Sequence, residues 1–590
     1  MNIKRKRNKS VKRKRLEIAK EAASRTLNAN GKTDLPPLPV DKNGGLDTLF
    51  SHRYGVLPYG NIYMSNELNG DFVRHGGLGP LLLSLNDEEI LSVLQFLDAG
   101  SLGRLSQCSR YLYVAGHHDD LWRDLTLRKY GKTGFSFTNS WKDTFISTDI
   151  ANMIKCAKDD TTTAKISFSF EPHKPIKIKN IYSDTFFRSW LCCTFTLQKS
   201  WLSVQNVDTM NSESMSTEKF LEYEENNIPL LIKGATKDWP ALQKWNKEYL
   251  IKQSQNVSFR ATSGAAPLPA NYTIENYSKY CDEVSEEAPL YLFDRTFAHN
   301  CPSLLDDYEE ALKTSCPYFD HEAKHGHDLF SLLGKGKRPD HRWIIMGPSR
   351  SFSNFHIDPN CTHAWNAPIV GRKRWIFYPP GTNPPGVYPS PNGDDVVMPI
   401  SLGEWFLTHY NDHVKQRNNP DISKRPLECT ACPGDILFVP HGWWHCVLNI
   451  DDGMSVALTQ NYVSQSNLPD VLRFLRTKQH QISGCRDRAE AIQPIQMYDE
   501  FTSRLKECRP DLLMNAQRLA DEGWHCAAWT DDPIKGLKEG GEKNHTKKKV
   551  AKTTCTSILQ LAKDSQMNGV GGKKDVVNST SSCGFSFSFL

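Results

Sequence analysis

The sequence of 590 residues lacks any run of 18 or more apolar residues, which excludes a transmembrane helix. We therefore expect no membrane partner. No apolar stretch follows the basic N-terminus, so we do not expect a secretory signal there. The 16 cysteines are scattered along the chain, which excludes a disulfide-dense scaffold and favours reduced thiols in the cytosol or nucleus. What remains is an ordinary composition, 39% hydrophobic and 24% charged, with enough apolar material for several domains.

Acidic residues are absent from positions 1–15, which carry nine Lys or Arg. The formal net charge of the whole chain is +5, so the other 575 residues carry a net charge of −4. The two Lys-Arg-Lys-Arg runs at 4–7 and 12–15 resemble a bipartite nuclear import signal. We therefore expect a nuclear protein, with a further pool in the cytoplasm. The alternative is a solvated tail that contacts nucleic acid without sequence preference.

Shifts in composition along the chain predict six segments. We expect a disordered basic tail and linker at 1–77, a helical module at 78–130, a connector at 131–215, a β-rich domain at 216–480, a helical extension at 481–530 and a disordered tail at 531–590. In the β-rich domain, short strands alternate with Gly, Pro and Asn turns, the pattern of a sandwich or barrel. The clearest strands are predicted at 343–346, 374–378, 435–439 and 455–458.

The module at 78–130 is rich in leucine and carries a helix-start signal. Asn86 is placed to cap a helix whose third residue is Glu89, and leucines follow at helical spacing. Together with the Leu-Trp-Arg triplet at 121–123, this succession resembles an F-box, which implies binding to the Skp adaptor of cullin-based ubiquitin ligases. Asn86 stands where that family usually has proline, and an unrelated leucine-rich helical bundle is the alternative.

His356-Ile357-Asp358 has the spacing of a metal site on a strand, because residues i and i+2 point to the same face. Alone this is weak evidence, since about two such triplets arise by chance in a chain of this composition. Similar triplets at 117–119 and 118–120 lie beside the helical module with no further ligand in view, and we interpret them as surface residues. His445 supplies a second imidazole later in the chain. Two histidines and one carboxylate leave positions open on Fe(II), as in non-haem oxygenases. A buried core histidine is the alternative interpretation of His445.

Two further side chains suit an organic diacid beside such a metal. The Asp-Gly pair at 452–453 predicts a hairpin turn, and a hairpin centred on residue 452 would pair His445 with Thr459. That register would place the Thr459 hydroxyl beside the metal ligand. Lys373, at the start of a predicted strand, can offer a point charge to a carboxylate. A metal, a hydroxyl and a lysine together suit 2-oxoglutarate, with its keto-acid end on the metal and its other end on the lysine.

The motifs of the β-rich domain follow one another in a fixed order. They are Gly347-Pro348, Ser353-x-x-His356-Ile357-Asp358-Pro359, Ala364-Trp365-Asn366-Ala367, Gly371-Arg372-Lys373-Arg374-Trp375, Pro433-Gly434-Asp435, Pro440-His441-Gly442-Trp443-Trp444-His445 and Thr459-Gln460-Asn461-Tyr462. This series resembles a JmjC domain, closest to the branch that contains the bifunctional arginine demethylase and lysyl hydroxylase. The resemblance covers residues 217 to about 475. It implies an all-β double-stranded β-helix core (jelly-roll, cupin-like) with flanking helices.

The same resemblance implies roles for individual residues. His356, Asp358 and His445 would bind the iron and carry catalysis. The residues implied to border 2-oxoglutarate are Lys373, Thr459, Asn366, Ser353 and Tyr291. Ser353 is a mild departure from the branch, which often has threonine there, but the hydroxyl is retained.

We therefore expect an Fe(II)- and 2-oxoglutarate-dependent dioxygenase that uses O₂ to oxidise a protein side chain, in a histone or another nuclear protein. Lysyl hydroxylation and removal of N-methyl groups from arginine or lysine both fit the sequence. The alternative function is that of an F-box substrate adaptor whose JmjC domain only recognises the target. The intact set of iron ligands argues against this alternative, because a receptor does not need them.

Overall fold

The computed structural model describes residues 52–58, 73–132, 134–159, 170–194, 197–263, 266–319, 328–486 and 488–521. The basic runs at 4–7 and 12–15 and the predicted tail at 531–590 lie outside the described residues. None of the described helices is long and apolar enough to cross a membrane.

Short helices make up the first part of the described chain. They are α1 (Val73–Leu83), α2 (Asp87–Leu94), α3 (Ala99–Leu105), α4 (Arg110–Ala115), α5 (Asp119–Tyr130), α6 (Trp141–Asp159), α7 (Asp184–Thr194) and α8 (Lys199–Leu202). The helix start predicted at Asn86 is confirmed: its side chain accepts a hydrogen bond from the Glu89 N–H at 2.9 Å, and the Glu89 carboxylate accepts one from the Asn86 N–H at 2.8 Å. This reciprocal pair satisfies two N–H groups at the start of α2.

Part of the predicted disordered linker is packed. Tyr54 and Val56 are buried, and Leu57 pairs with Tyr182 of the connector. The Tyr54 ring packs against His117, which is itself buried and not at the surface as the sequence suggested. The prediction of disorder up to residue 77 is therefore wrong for residues 52–58, because their apolar side chains have a buried site to occupy. It is also wrong for residues 73–77, which form the first part of α1.

Two β-sheets form the core of the chain that follows. The strands are β1 (Asp208–Asn211), β2 (Leu230–Lys233), β3 (Phe259–Ser263), β4 (Ala266–Tyr272), β5 (Tyr291–Asp294), β6 (Arg342–Gly347), β7 (Phe352–His356), β8 (His363–Val370), β9 (Lys373–Tyr378), β10 (Tyr388–Pro389), β11 (Val396–Val397), β12 (Leu427–Ala431), β13 (Ile436–Val439), β14 (Trp444–Asn449) and β15 (Ser455–Tyr462). The large sheet has the order β1-β2-β13-β8-β15-β6-β5-β3-β4, and the small sheet has the order β12-β9-β14-β7. The remaining two strands, β10 and β11, belong to neither of these sheets. The four strands predicted most clearly from the sequence are confirmed as β6, β9, β13 and β15.

Helices flank these sheets. They are α9 (Thr217–Glu225), α10 (Pro240–Lys244), α11 (Lys247–Gln253), α12 (Ile274–Glu283), α13 (Phe297–Asn300), α14 (Pro302–Asp306), α15 (Glu309–Ser315), α16 (Leu402–Thr408), α17 (Tyr410–Arg417), α18 (Leu468–Thr477), α19 (Pro494–Cys508) and α20 (Pro510–Asp521). Residues 389–396 belong to a second, small unit, within which the Gly393 N–H donates to the Ser390 carbonyl at 2.9 Å.

Apolar side chains of the two sheets pack against each other. Leu437 and Ala364 of the large sheet share one buried cluster with Trp375, Phe377 and Val447 of the small sheet. Strands that are far apart in sequence lie side by side within each sheet, as a jelly-roll requires. The predicted cupin-like β core with flanking helices is confirmed.

The turn at 451–453 does not close a hairpin. β14 pairs with β7 and β9 in the small sheet, whereas β15 pairs with β6 and β8 in the large sheet. The predicted register of His445 with Thr459 is therefore wrong, because the chain crosses from one sheet to the other here. The Asp451 carboxylate fixes the crossing by accepting hydrogen bonds from the Arg372 N–H at 2.8 Å and its guanidinium at 2.6 Å. An Asp-Gly pair signals a reversal of the chain, but it does not specify which sheet the next strand joins.

The segment predicted as a connector supplies one strand of the large sheet. β1 precedes residue 216, where the β-rich domain was predicted to begin, and it pairs in parallel with β2. Gly131, the residue that follows α5, contacts the large sheet: its carbonyl accepts a hydrogen bond from the Asn271 N–H of β4 at 2.8 Å. One buried apolar cluster runs from Leu121 of α5 to Tyr272 of β4. The helices before β1 are therefore packed onto the β domain.

A buried charge cluster joins α17 to the small sheet. Glu428 of β12 accepts hydrogen bonds from Arg374, from His413 Nε2 at 2.9 Å and from Arg417 Nε at 2.5 Å. Burial alone would raise the pKa of Glu428, but these hydrogen bonds and positive charges lower it to about 2. The carboxylate is therefore ionised across the physiological pH range.

Replacing Glu428 with alanine would leave the Arg374 guanidinium buried without its counter-charge. We expect Glu428→Ala to lower the free energy of unfolding by about 3–5 kcal/mol, as measured by urea denaturation. Glu507→Ala is the control, because Glu507 and its partner Arg504 are both exposed and such pairs contribute little. Equal stability of the two variants would contradict this role for the cluster.

Candidate active site

A cavity lies between the two sheets. The side chains that line it include every site residue that the sequence predicted, namely Tyr291, Ser353, His356, Asp358, Asn366, Lys373, His445 and Thr459. The large sheet supplies three of them, from β5, β8 and β15, and the small sheet with the loop after β7 supplies the others. The fold thus brings together side chains that are far apart in sequence.

His356, Asp358 and His445 form a compact group at one end of the cavity. One potential ligand atom from each lies within 4.8 Å of the others, and both histidine Nε2 atoms are 3.9 Å from Asp358 Oδ1. His356 and His445 face each other in register on β7 and β14. Asp358 is not on the strand as the i, i+2 argument assumed: β7 ends at His356, and the carboxylate comes from the loop that follows.

Backbone carbonyls orient both imidazoles. His356 Nδ1 is 2.7 Å from the Asn354 carbonyl, and His445 Nδ1 is 3.0 Å from the Trp443 carbonyl. Since a carbonyl only accepts hydrogen bonds, each Nδ1 carries a proton, and each Nε2 presents a lone pair toward Asp358. Two imidazole nitrogens and one carboxylate are a donor set that suits Fe(II) and leaves positions for further ligands.

Burial shifts the pKa of all three groups. It lowers the pKa of His356 to about 4, helped by the neighbouring His445, and it lowers the pKa of His445 to about 4. It raises the pKa of Asp358 to about 6, against the opposing effects of His356 and Asn461. At neutral pH the histidines are therefore neutral and the carboxylate is mostly ionised, which is the state that binds a divalent metal. Within the described ranges, no other group of three His, Cys, Asp or Glu side chains comes this close together.

Lys373 is buried in the cavity with neutral partners. Its ammonium group donates to the Tyr291 hydroxyl at 2.8 Å and to Asn449 Oδ1 at 2.9 Å. Burial lowers its pKa to about 7, because neither partner compensates the positive charge. An anionic group bound in the cavity would supply the missing counter-charge.

Polar groups of the large sheet also face the cavity. Thr459 and Asn366 are paired on β15 and β8, and the Thr459 hydroxyl donates to the Trp365 carbonyl at 2.7 Å. The amide oxygen of Asn366 is buried without a hydrogen-bond partner. Because such a group is costly to leave unpaired, the cavity is suited to a polar ligand. A chelating diacid fits the whole arrangement, with the metal group at one end and Lys373 at the other.

Two asparagines of the site were missed in the sequence. Asn461 hydrogen-bonds to Asp358 and also donates to the Thr362 hydroxyl at 2.8 Å, so it orients the carboxylate. It stands two residues after Thr459 on the same strand, and that spacing could have revealed it, since alternate residues share a face. Asn449 contacts Lys373 only because β14 pairs with β9, which no sequence pattern shows.

Comparison with known proteins agrees with this geometry. The family model described as a cupin-like domain matches residues 216–467, and the F-box-like model matches residues 84–128. The chain belongs to the JmjC family of cupin-like oxygenases that depend on iron and 2-oxoglutarate, and it carries an F-box-like domain before the oxygenase domain. Both predicted families, the enzyme class and its use of iron and 2-oxoglutarate are confirmed.

Named relatives include three proteins. The chain is 38% identical over 476 residues to "Arginine-specific demethylase JMJ22" of Arabidopsis thaliana. The aligned region covers 80% of this chain and 84% of that protein. It is 35% identical over 280 residues to "Bifunctional arginine demethylase and lysyl-hydroxylase psr-1" of Caenorhabditis elegans, covering 45% of this chain and 62% of that protein. It is 27% identical over 285 residues to "2-oxoglutarate and iron-dependent oxygenase JMJD4" of Mus musculus, covering 44% and 62%.

The metal-ligand assignment predicts a direct loss of metal binding. We expect His445→Ala to weaken Mn(II) binding at least about tenfold, because even groups that only support a ligand change metal affinity by about 10–100-fold. Calorimetric titration of the purified protein with Mn(II) measures this. His299→Ala is the matched control, since His299 is exposed and does not line the cavity. Equal Mn(II) affinity in the two variants would remove His445 from the metal site.

Proposed function

We propose that this oxygenase oxidises a lysyl or N-methylated side chain of a protein, using His356, Asp358 and His445 as iron ligands. The observation that carries the proposal is the buried Lys373, which faces this group from the other end of the cavity and has only neutral hydrogen-bond partners. That ammonium binds the distal carboxylate of 2-oxoglutarate, with the Tyr291 hydroxyl beside it.

The remaining polar side chains orient the cosubstrate. Asn366, Thr459 and Ser353 line the space between Lys373 and the metal ligands. When bound, iron and 2-oxoglutarate supply, with O₂, the oxidising power to insert oxygen into a C–H bond, and succinate and CO₂ are released. The chain itself contributes binding, orientation and the exclusion of water, since most of these side chains are buried.

The substrate class is supported by the cavity walls and by the relatives. Trp343, Phe293 and Trp375 present aromatic surface to the cavity. Aromatic rings suit the long, cationic side chains of lysine and methylated arginine. Relatives are named as arginine demethylases and as a lysyl hydroxylase. One C–H oxidation accounts for both reactions: hydroxylation at a side-chain carbon gives a stable alcohol, whereas hydroxylation of an N-methyl group gives a hemiaminal that releases formaldehyde.

Peptide turnover tests the proposal directly. We expect the wild-type enzyme to release succinate when given lysine- or methylarginine-containing peptides, including histone tails, and Asp358→Ala to release none. Mass spectrometry of the peptide separates the two reactions, because hydroxylation adds an oxygen whereas demethylation removes a CH₂ unit and yields formaldehyde. Normal succinate release by Asp358→Ala would overturn the assignment of the metal ligands.

The role of Lys373 predicts how 2-oxoglutarate binding depends on pH. A carboxylate binds the protonated amine, so affinity should be full below the lysine pKa of about 7 and fall as the pH rises above it. We expect about a tenfold loss per pH unit between pH 7 and 9, measured by calorimetry on Mn(II)-loaded protein.

Two variants control this measurement. Lys373→Arg keeps its charge throughout the range and should show little pH dependence. Lys373→Ala should bind 2-oxoglutarate about 10–100-fold more weakly at pH 7, which is the loss of one charge-assisted hydrogen bond. Unchanged affinity in Lys373→Ala would show that the distal carboxylate lies elsewhere.

We also infer that the F-box-like domain binds a Skp-type adaptor, so that the chain can recruit a ubiquitin ligase. Three apolar side chains are left in solvent around α1 and α2: Leu81 is 78% exposed, Val93 46% and Phe96 90%. Leu94 of the same helix is buried and belongs to the core of the module. Large apolar side chains left in solvent on a helical module are typical of a docking surface.

Adaptor binding should depend on this surface and not on the metal site. We expect Val93→Asp/Phe96→Asp to lose co-precipitation of the adaptor, and Asp358→Ala to retain it. Met153→Asp is the matched control, because Met153 is a 56% exposed apolar residue on α6. If the wild-type chain does not co-precipitate the adaptor, the proposed ligase function is wrong, and the proposed oxygenase function is unaffected.

The nuclear location rests on the basic runs at 4–7 and 12–15, which lie outside the described residues. We propose that they direct the protein to the nucleus. Contact of the same tail with nucleic acid also stays a prediction.

A further inference from the structure

The segment that leads into β5 is held by helices of the N-terminal region. Glu286 accepts hydrogen bonds from Arg123 of α5 at 3.0 Å and from the Trp141 indole of α6 at 2.5 Å. Next to it, Glu287 lies 3.6 Å from Arg188 of α7. Glu286 is nearly fully buried, so its position is determined by these partners. Three helices that precede the oxygenase domain thus fix this segment.

A short chain of hydrogen bonds connects Glu286 to the active site. The Tyr280 hydroxyl lies 3.3 Å from the Glu286 carboxylate and accepts from the Leu290 N–H at 2.7 Å. Tyr291 is the next residue, and its hydroxyl accepts from Lys373 at 2.8 Å. One hydrogen-bond partner of Lys373 is therefore linked to Glu286 through Tyr280.

A second contact from the N-terminal region supports the other partner of Lys373. The Arg350 guanidinium donates to the carbonyl of Cys192, in the last turn of α7, at 3.2 Å. Arg350 has a φ of 67°, a conformation that L-residues rarely adopt, and its N–H donates to the Asn449 carbonyl at 2.9 Å. The neighbouring Ser351 hydroxyl accepts from the Asn449 amide at 2.7 Å, and Asn449 Oδ1 accepts from Lys373 at 2.9 Å.

The two connections meet at Gly347. A Cβ on this residue would lie 2.5 Å from the Tyr291 ring and 2.1 Å from the Ser351 hydroxyl. No side chain fits there, so the loop after β6 and the start of β5 are in direct contact. Both hydrogen-bond partners of Lys373 are therefore connected to the helical region through these contacts.

We propose that the N-terminal helical region positions Lys373 for 2-oxoglutarate through two positioning residues, Glu286 and Arg350. The proposal rests on the proposed role of Lys373 in binding the distal carboxylate. Neither residue lines the cavity. If the helical region positions Lys373, the affinity for 2-oxoglutarate depends on side chains and carbonyls that lie before the start of the oxygenase domain.

The test uses full-length chain and two mild variants. Glu286→Gln keeps the shape and the acceptor for Trp141 but loses the charge, and Arg123 retains its ion pair with Asp120 at 2.8 Å. In Arg350→Asn the side chain is too short to donate to the Cys192 carbonyl, but asparagine tolerates the positive φ at this position. We expect each to weaken 2-oxoglutarate binding about 3- to 10-fold by calorimetry on Mn(II)-loaded protein, with Mn(II) affinity unchanged. In turnover, KM for 2-oxoglutarate should rise while kcat at saturation stays within about twofold.

Further measurements distinguish positioning from general damage. Arg350→Lys should restore affinity, because lysine can still donate to the Cys192 carbonyl. Amide exchange of residues 288–293 should become faster in Glu286→Gln. Arg128→Ala is the matched control, since Arg128 is an exposed arginine on the same helix as Arg123.

Lys373→Ala serves as the reference. If it weakens 2-oxoglutarate binding but Glu286→Gln and Arg350→Asn leave binding unchanged, the positioning proposal is wrong and the proposed function stands. If Lys373→Ala also has no effect, both are overturned. The proposal would also be overturned if either positioning variant lost Mn(II) affinity, or if its kcat fell by the same factor by which its KM rose. Either result would show general damage to the site.

Discussion

The burial of one ammonium group between two sheets is the constraint on which the active site depends. Tyr291 and Asn449 accept the hydrogen bonds of Lys373 there, but both are neutral and leave its positive charge without a counter-charge. The jelly-roll allows this arrangement, since its large sheet supplies Tyr291 and its small sheet supplies Asn449 and the lysine itself. His356, Asp358 and His445 line the same cavity, so the fold sets the distance between this group and Lys373.

The sequence predicted the site residues better than it predicted the path of the chain between them. Short motifs such as His356-Ile357-Asp358 carry their own chemistry, and strands such as β9 and β15 carry a clear apolar signal, so both were found. The hairpin at 451–453 was wrong because an Asp-Gly turn defines local backbone geometry and not the sheet that the next strand joins. Asn449 was missed for the same reason, since its contact with Lys373 depends on the pairing of β14 with β9.

The helical region before the oxygenase domain is an integral part of the fold. Its α5 packs on the large sheet, Arg123 and Trp141 bind Glu286, and one apolar cluster continues from the helices into the β domain. An F-box-like domain in this position is not a freely hinged attachment. Phe96 of this module is 90% exposed, whereas Arg123 is buried and donates to Glu286 of the oxygenase domain.

The parallel pairing of β1 with β2 has a practical consequence for the study of isolated domains. A shortened chain that begins at residue 216, where the cupin-like match starts, would lack β1 altogether. The backbone of Leu230–Lys233 would then be left unpaired along one side, on a strand whose side chains are mostly apolar. Unpaired apolar edges recruit strands from other molecules, so such a fragment would be prone to aggregation. An oxygenase fragment that keeps this pairing must therefore begin before Asp208, upstream of the residues that the cupin-like family model matches.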